Sequence, residues 1–255
     1  MFIDTHCHIS KEYFDDIPNL IDKIVKSGVN KVIVNGCDMN SNLEVLELVE
    51  KYDIVYGALG FHPTELDDFS DEQLIWLEKN INNKKIVAIG EIGLDYHYDN
   101  TDKVKQKEVF EKQLQIASKY HKPVIVHSRD AINDTYNIIS KYNVVGSLHC
   151  FSSSKEMAER FIKLGFYIGI GGVCTYKNAK EIKEVIKAID LEYIILETDT
   201  PYLSPEPVRK EKNTPCNIPT IASYIASLKD VDLSIVSKVT SANASRLFDF
   251  FQEIW

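Results

Sequence analysis

Residues 1–9 read MFIDTHCHI, an apolar run that ends in two histidines separated by one residue. In a β-strand, side chains at positions i and i+2 point to the same face, so His6 and His8 project together and Cys7 points to the other face. A doubly wound open sheet would place a glycine-rich phosphate-binding loop after an early strand, where this chain has His-Cys-His. The segment therefore favours a barrel over an open sheet.

Short apolar runs of the same kind recur along the chain, separated by stretches with the spacing of amphipathic helices. The apolar runs are nearly continuous, as is typical of parallel strands that are buried on both faces. We predict strands at 1–9, 31–36, 54–59, 86–91, 123–127, 145–150, 166–170 and 193–197, and helices at 42–52, 104–119, 155–164 and 179–188. Eight strand-helix units, no Pro- or Gly-rich linker and a length of 255 residues predict an α/β protein, a single-domain (β/α)8 TIM barrel over residues 1–255.

The composition argues against several classes of protein. No apolar stretch approaches the roughly 20 residues of a membrane helix, and the N-terminus lacks the pattern of a signal peptide. The five cysteines are an odd number without a C-x-x-C pair, which argues against a disulfide framework and a structural zinc knuckle. We therefore predict a cytoplasmic protein with no membrane partner, and we see no sign of an obligate protein partner.

The charge of the chain limits how it could hold a nucleic acid. A protein that coats duplex DNA presents a broad basic face, whereas the formal net charge here is −9. Bound metal ions and a few local Arg or Lys residues can nevertheless hold one strand end. A nucleic-acid substrate that is held at the end of a DNA strand is therefore compatible with the charge.

Ionisable residues stand at the ends of the predicted strands. Glu91 ends the fourth (KIVAIGE), His127 ends the fifth (KPVIVH), His149 nearly ends the sixth (GSLH) and Asp199 follows the eighth (IILETD). Such residues are costly at the end of an apolar strand unless they are paired or bind a metal, and a barrel places its active site at these carboxyl ends. We therefore predict a metal site formed by His6, His8, Glu91, His127, His149 and Asp199.

The size of this ligand set indicates more than one ion. Four imidazoles and two carboxylates are too many for one tetrahedral ion and suit two divalent metal ions with a bridging carboxylate. Glu91 is the expected bridge, because it comes from the middle of the barrel. Imidazole-rich ligation favours zinc, manganese, cobalt or nickel over magnesium, but the sequence does not identify the metal.

Three further residues are candidates for substrate binding. His62 follows the third strand in GFHP, where the alternative is a turn histidine before Pro63. Arg129 lies two residues beyond His127, and Arg209 lies in the long loop after the eighth strand, a common location for phosphate-binding groups in barrels. For each arginine the alternative is a solvated surface charge.

The motifs together resemble the TatD-type metal-dependent hydrolases of the amidohydrolase superfamily. The similar segments run from residue 4 to residue 248 in the family's order: DTHCH, GFHP, GEIGLDY, KPVIVHSRDA, LHCFS, GFYIGIGGVCTYKNA, ETDTPYLSP and NASRLF. The resemblance implies a (β/α)8 nuclease that trims DNA, often from the 3′ end, with the six ligands above and Asp199 as the base. The loop at 207–218 departs from the family pattern: Arg209 and Asn213 match it, but its glycine, second arginine, glutamate and aromatic residue have no counterpart.

The function we predict is a deoxyribonuclease of the 3′–5′ exonuclease type, which uses a metal-activated water with Asp199 and Glu91 as catalytic residues. The alternative is a D-aminoacyl-tRNA deacylase or another ester or amide hydrolase on the same metal site. Relatives that open cyclic amides often carry a carboxylated lysine where Glu91 stands, which weakens the amide branch. A third alternative is a metal-binding barrel that has lost catalysis and serves as a scaffold, which a missing ligand would favour; none is missing.

Overall fold

The computed structural model describes residues 1–250, in which eight parallel strands form one sheet in the order of the chain. Helices alternate with the strands, which confirms the predicted (β/α)8 TIM barrel. The extent of the single domain over residues 1–255 stays a prediction, and residues 251–255 lie outside the described residues. The strands are β1 (Phe2–Cys7), β2 (Val29–Asn35), β3 (Val55–Leu59), β4 (Ile86–Asp95), β5 (Val124–Arg129), β6 (Gly146–Leu148), β7 (Phe166–Ile170) and β8 (Ile194–Leu196).

The helices surround this sheet and bury one apolar face each. In α6, for example, Met157, Ala158 and Phe161 recur at helical spacing and are buried, whereas the charged positions face outward. The helices are α1 (Ile17–Lys26), α2 (Met39–Lys51), α3 (Asp71–Asn80), α4 (Lys103–Tyr120), α5 (Ile132–Ile139), α6 (Lys155–Lys163), α7 (Lys180–Ala188), α8 (Ile218–Lys229) and α9 (Leu233–Phe248), with short 3-10 turns at Gly172–Thr175, Leu191–Tyr193 and Pro215–Asn217. None of the helices among residues 1–250 is long and apolar enough to cross a membrane.

The fourth strand is longer than the sequence predicts. We expected it to end at Glu91, but β4 continues to Asp95, and Ile92 pairs with Val126 of β5 after a shift of register. The reason is that the apolar run resumes after Glu91 with the buried residues Ile92 and Leu94. Glu91 therefore lies inside a strand. The fifth strand likewise continues past His127 to Arg129. The other predicted strand boundaries differ from the observed ones by no more than two residues.

The last strand joins the first mainly through residues that follow β8. The backbone N–H of Asp199 donates to the carbonyl of His6 (2.9 Å), and the N–H of His8 donates to the carbonyl of Thr200 (2.7 Å). A buried carboxylate supports this closure, because Asp4 accepts hydrogen bonds from the hydroxyl (2.6 Å) and backbone N–H (3.0 Å) of Thr198. This closure of the barrel therefore places Asp199 directly beside His6 and His8.

The amino-terminal half of the barrel interior is filled with apolar side chains. Helix α9 lies under the barrel and contributes part of this cluster. Its buried members include Ile3, Ile33, Val87, Ile125 and Ile195 from the strands and Ala244, Leu247, Phe248 and Phe250 from the C-terminal segment. This packing separates the polar carboxyl end of the barrel from the opposite end.

Candidate metal centre

The six predicted ligands converge at the carboxyl end of the barrel, around the carboxylate of Glu91. Its Oε2 atom faces His6 of β1 and His8 just after it, at 3.3 Å from His6 Nε2 and 3.5 Å from His8 Nε2. The two imidazole nitrogens are themselves only 3.1 Å apart. One oxygen of Glu91 and the His6–His8 pair thus form one compact set of ligand atoms.

The other oxygen of Glu91 faces a second set of imidazoles. Oε1 lies 3.0 Å from His127 Nδ1, 3.7 Å from His149 Nε2 and 3.5 Å from His62 Nε2. The side chain of Glu91 is buried, so water does not compete strongly for either oxygen. The carboxylate therefore divides the cluster into two groups of nitrogen atoms.

Asp199 lies between these groups. Its Oδ1 atom is 3.6 to 3.8 Å from the Nε2 atoms of His6, His8 and His149. The residue has a left-handed backbone conformation, with φ at 58°, which Asp adopts more readily than most residues. The structure thus brings all six predicted ligands together.

Outer hydrogen bonds orient two of the imidazoles. His8 Nδ1 lies 3.0 Å from the carbonyl oxygen of Asn35, and His127 Nε2 lies 3.0 Å from Asp95 Oδ2. Such partners fix the ring and its tautomer in metal-binding histidines. The oxygens can only accept, so the outer nitrogens carry the hydrogens, and each inner nitrogen presents a lone pair to the cluster when its ring is neutral.

Glu197 stands behind the imidazole of His149, the residue that directly follows β6. Its Oε1 atom lies 3.1 Å from His149 Nδ1 and accepts the backbone N–H of Cys150 at 2.5 Å. We assigned roles to neither Glu197 nor Asp95 from the sequence. A signal was present, because Asp95 is four residues from Glu91 and Glu197 is two residues from Asp199, and even spacings share a face in extended chain.

The donor set fits divalent metal ions. When the rings of His8 and His127 are neutral, their inner lone pairs face the oxygen lone pairs of Glu91, an arrangement that a cation between them would satisfy. The side chains that would supply this ligation are the imidazoles and carboxylates that zinc and other transition metals prefer. Groups that could hold an ion are His6–His8–Glu91, His6–His149–Asp199, His62–Glu91–His127 and His149–Cys150–Glu197.

The electrostatics of the cluster also favour positive charge at this position. Burial alone would raise the pKa of Glu91, but the adjacent His62, His6 and His149 outweigh it and hold this pKa well below its usual range. Burial alone would lower the pKa of His149, but the negative field of Glu197, Asp199 and Glu91 raises it to about 9. Glu91 is thus held in its anionic form, which favours a cation beside it.

The candidate substrate residues occupy different positions. His62 lies in the cluster, beside Glu91, and Thr64 forms a hydrogen bond with its Nδ1 atom (2.8 Å). Arg129 lines the cavity described below. Arg209 is exposed in the loop after β8, with its guanidinium 4.1 Å from the centroid of the Tyr176 ring and 3.9 Å from Glu206. The structure thus brings His62 to the centre, whereas the contact of each arginine with a substrate stays a prediction.

A cavity of about 650 Å³ adjoins the cluster on the side of β4, β5 and β6. It shares His149 with the cluster, so a molecule that fills it reaches the candidate ligands. The floor includes the buried Leu148 and Phe151, and its walls include Tyr96, Arg129 and Ser152.

Known proteins are similar to this chain in sequence over nearly its whole length. The family model described as TatD related DNase matches residues 3–249. An uncharacterized metal-dependent hydrolase of Bacillus subtilis, YabD, is 39% identical over 97% of this chain and 99% of its own.

Solved structures agree with this result. The crystal structure of YjjV, a TatD homologue from Escherichia coli, superimposes with a TM-score of 0.92 at 32% identity and covers 97% of this chain and 98% of its own. A TatD family hydrolase from Entamoeba histolytica has a TM-score of 0.84 at 25% identity and covers 97% of both chains. The chain therefore belongs to the TatD family of metal-dependent hydrolases.

Proposed function

We propose that this hydrolase cleaves phosphodiester bonds at the 3′ ends of DNA and that its centre holds two divalent metal ions. The observation that carries the proposal is the division of the cluster by Glu91, whose two oxygens face two different groups of imidazoles. A carboxylate shared between two ions is typical of metal centres that hydrolyse phosphate esters.

The residues present divide between the two positions. His6 and His8 would hold one ion, His127 and His149 the other, with Glu91 shared and Asp199 adjacent to both groups. Bound ions of this kind act as Lewis acids toward a phosphate ester and lower the pKa of a bound water. Asp95 and Asn35 keep the imidazoles of His127 and His8 in the orientation that ligation requires.

The chain itself supplies the groups that move the proton and hold the phosphate. Asp199 is ionised, because the nearby histidines outweigh its burial and lower its pKa. It can accept a proton from the attacking water and return it to the leaving 3′ oxygen. His62 faces the same centre and Arg129 lines the adjoining cavity, so both are placed to contact substrate phosphates.

The description of the matching family supports DNA as the substrate, since it names a DNase. The net charge of −9 fits a protein that holds a short strand end rather than a long duplex. A D-aminoacyl ester of tRNA is the second candidate, because the same ligand set can hydrolyse an ester.

The test is an assay panel on the purified protein reconstituted with manganese or zinc. The substrates are labelled single-stranded DNA, duplex DNA, RNA, a D-aminoacyl-tRNA and a cyclic amide. We expect stepwise shortening of DNA from its 3′ end, which disappears in Glu91→Gln and persists in Glu184→Gln, a control on the exposed face of α7. Hydrolysis of the D-aminoacyl-tRNA without shortening of DNA would overturn the nuclease proposal in favour of the deacylase.

A further inference from the structure

Two features stand on opposite sides of the candidate metal centre. The cavity is lined by residues at the ends of β4, β5 and β6, whereas Tyr13 and Tyr202 follow β1 and β8. In a barrel of eight strands in sequential order, β1 faces β5 across the axis. The cluster of ligands therefore lies between the cavity and the tyrosine pair.

The cavity has the chemistry of a site for one nucleoside. Its floor is apolar, Tyr96 provides an aromatic wall, and Arg129 supplies a cation. The ring of Tyr96 is held in place, because its hydroxyl donates to Asp134 Oδ2 (2.9 Å), which is also paired with Lys107 (2.7 Å). A volume of about 650 Å³ lies in the range of pockets that hold one small molecule.

The half-buried Tyr13 and the exposed Tyr202 form an aromatic surface on the other side, which we call the tyrosine pair. Their hydroxyls form a hydrogen bond of 2.9 Å, and their ring centroids are 6.0 Å apart. Tyr202 is 50% exposed, and its ring centroid lies 6.4 Å from that of His8. The side-chain amide of Asn213 donates to the carbonyl of Tyr202 (2.6 Å), which fixes the backbone that presents the ring.

A cation accompanies the tyrosine pair. Lys212 donates to the carbonyl of Tyr13, and its Nζ atom lies 5.3 Å from the centroid of the Phe14 ring. Exposed aromatic rings beside cations are the usual means of holding single-stranded nucleic acid, because bases stack on the rings and the phosphates meet the cations. Half of the surface of Tyr202 is open to solvent, which leaves room for a base to stack on the ring.

We propose that the cavity and the tyrosine pair are subsites for the two nucleosides that flank the scissile phosphate. The terminal nucleoside enters the cavity, and the base of the preceding nucleoside stacks on Tyr202. This inference rests on the proposed phosphodiesterase function. It attributes the preference for strand ends to the limited volume of the cavity and the binding of the preceding nucleoside to Tyr202.

The test pairs protein variants with DNA that lacks single bases. Tyr202→Ala removes the ring and Tyr202→Phe keeps it; Ser152→Trp fills the cavity and Ser152→Ala leaves it open. The substrates are short single strands, either intact or with an abasic residue at the terminal or the penultimate position. Tyr193→Ala is the control, since Tyr193 is also exposed (39%) but precedes β8 at the opposite end of the barrel.

For intact DNA we expect Tyr202→Ala to raise KM by about tenfold to a hundredfold, with a smaller change in kcat. For Tyr202→Ala, removal of the penultimate base should cause no further rise in KM, whereas removal of the terminal base should still raise KM. For Ser152→Trp, removal of the terminal base should cause no further rise in KM, whereas removal of the penultimate base should still raise KM. Tyr202→Phe and Ser152→Ala should raise KM much less than Tyr202→Ala and Ser152→Trp do, because they keep the stacking ring and the open cavity. Tyr193→Ala, outside both subsites, should stay within about threefold of the parent protein.

A binding measurement separates this inference from the proposed function. The probe is a cleavage-resistant phosphorothioate strand with 2-aminopurine at the penultimate position, whose fluorescence is quenched when the base stacks. Quenching by the parent protein and Tyr202→Phe, but not by Tyr202→Ala, supports the stacking subsite even if no DNA is cleaved. Equal quenching by Tyr202→Ala, or equal impairment of Tyr202→Phe and Tyr202→Ala, would overturn it.

Discussion

At the scale of single residues, Asp199 shows how backbone geometry and chemistry coincide. Its N–H closes the barrel by donating to His6, and its left-handed conformation places Oδ1 among three imidazoles. Most residue types would adopt this backbone conformation at a cost, but Asp and Asn adopt it more easily. The same position therefore joins the sheet and presents a carboxylate to the centre.

We expect Asp199→Asn to keep the fold and most of the bound metal but to lose at least about a hundredfold in kcat. Asn tolerates the backbone and can offer an oxygen to a metal ion, but it cannot take up the proton of the attacking water. Metal content and single-turnover cleavage are measured on one preparation. Asp230→Asn is the matched control, because Asp230 is also left-handed, at φ 53°, at the end of α8. Full turnover would assign the proton to another group, with His62 the next candidate, and loss of metal would make Asp199 chiefly a ligand.

Arg209→Ala should raise KM for DNA several-fold with little change in kcat, because a phosphate contact remote from the reacting atoms contributes mainly to binding. The matched control is Arg160→Ala, which also removes a guanidinium that lies over a tyrosine ring, at 3.9 Å from the centroid of Tyr136. Steady-state kinetics over a range of DNA concentrations provide the measurement. A KM that does not change on any nucleic acid would remove Arg209 from the substrate site.

At the scale of elements, the contact between β4 and β5 positions the second group of ligands. A side chain on Gly93 would meet the backbone of β5, since an added Cβ atom would lie 2.0 Å from the carbonyl oxygen of His127. The absence of that atom lets the two strands approach where Glu91 and Asp95 reach His127. The glycine is thus a packing requirement of the candidate metal centre.

We expect Gly93→Ala to lower the free energy of unfolding by about 1–3 kcal/mol more than Gly28→Ala does, because it adds a clash to the backbone cost. Both glycines have positive φ, +144° and +89°, but the added Cβ at Gly28 meets nothing within 4 Å. Urea denaturation of both variants gives the comparison, and metal affinity should fall only for Gly93→Ala. Equal destabilisation by the two changes would show that the strands can separate without loss of packing.

At the scale of the whole molecule, the candidate centre exists only when the barrel is closed. Its six ligands come from β1, β4 and β5 and from the residues just after β1, β6 and β8, so they are separated along the chain by as many as 193 residues, from His6 to Asp199. The unfolded chain cannot hold an ion with this complete set. Binding of metal must therefore stabilise the folded barrel.

We expect a divalent ion at a hundred times its dissociation constant to raise the free energy of unfolding by about 2.7 kcal/mol. The measurement is denaturation of the metal-free protein with and without added manganese or zinc. Glu91→Gln should lose most of the gain, since it weakens the shared ligand, whereas Glu184→Gln should keep it. Stabilisation of equal size in Glu91→Gln would mean that the ions bind elsewhere.

Much of this architecture could be predicted from the sequence, because its signals are local. Apolar runs separated by helical spacing indicate eight strands, and an ionisable residue such as Glu91 or His127 in an apolar run indicates a functional position. The sequence could not show that β4 continues beyond Glu91, because a polar residue interrupts an apolar run in the same way whether the strand ends or continues. It also did not identify Asp95 and Glu197 as partners of the outer imidazole nitrogens, since this role depends on imidazoles that other parts of the barrel supply.

The sequence by itself therefore determined the fold class, the family motifs and the residues able to bind metal. Only the tertiary structure decided how these residues are arranged in space. It shows which oxygen of Glu91 faces which imidazoles, where Asp199 lies, and that the tyrosine pair stands across the centre from the cavity. The physical reason is the separation along the chain over which each kind of signal acts. Strand and helix patterns reflect burial within a few residues, whereas a metal centre is defined by distances of 3 to 4 Å between side chains that the closed barrel alone brings together.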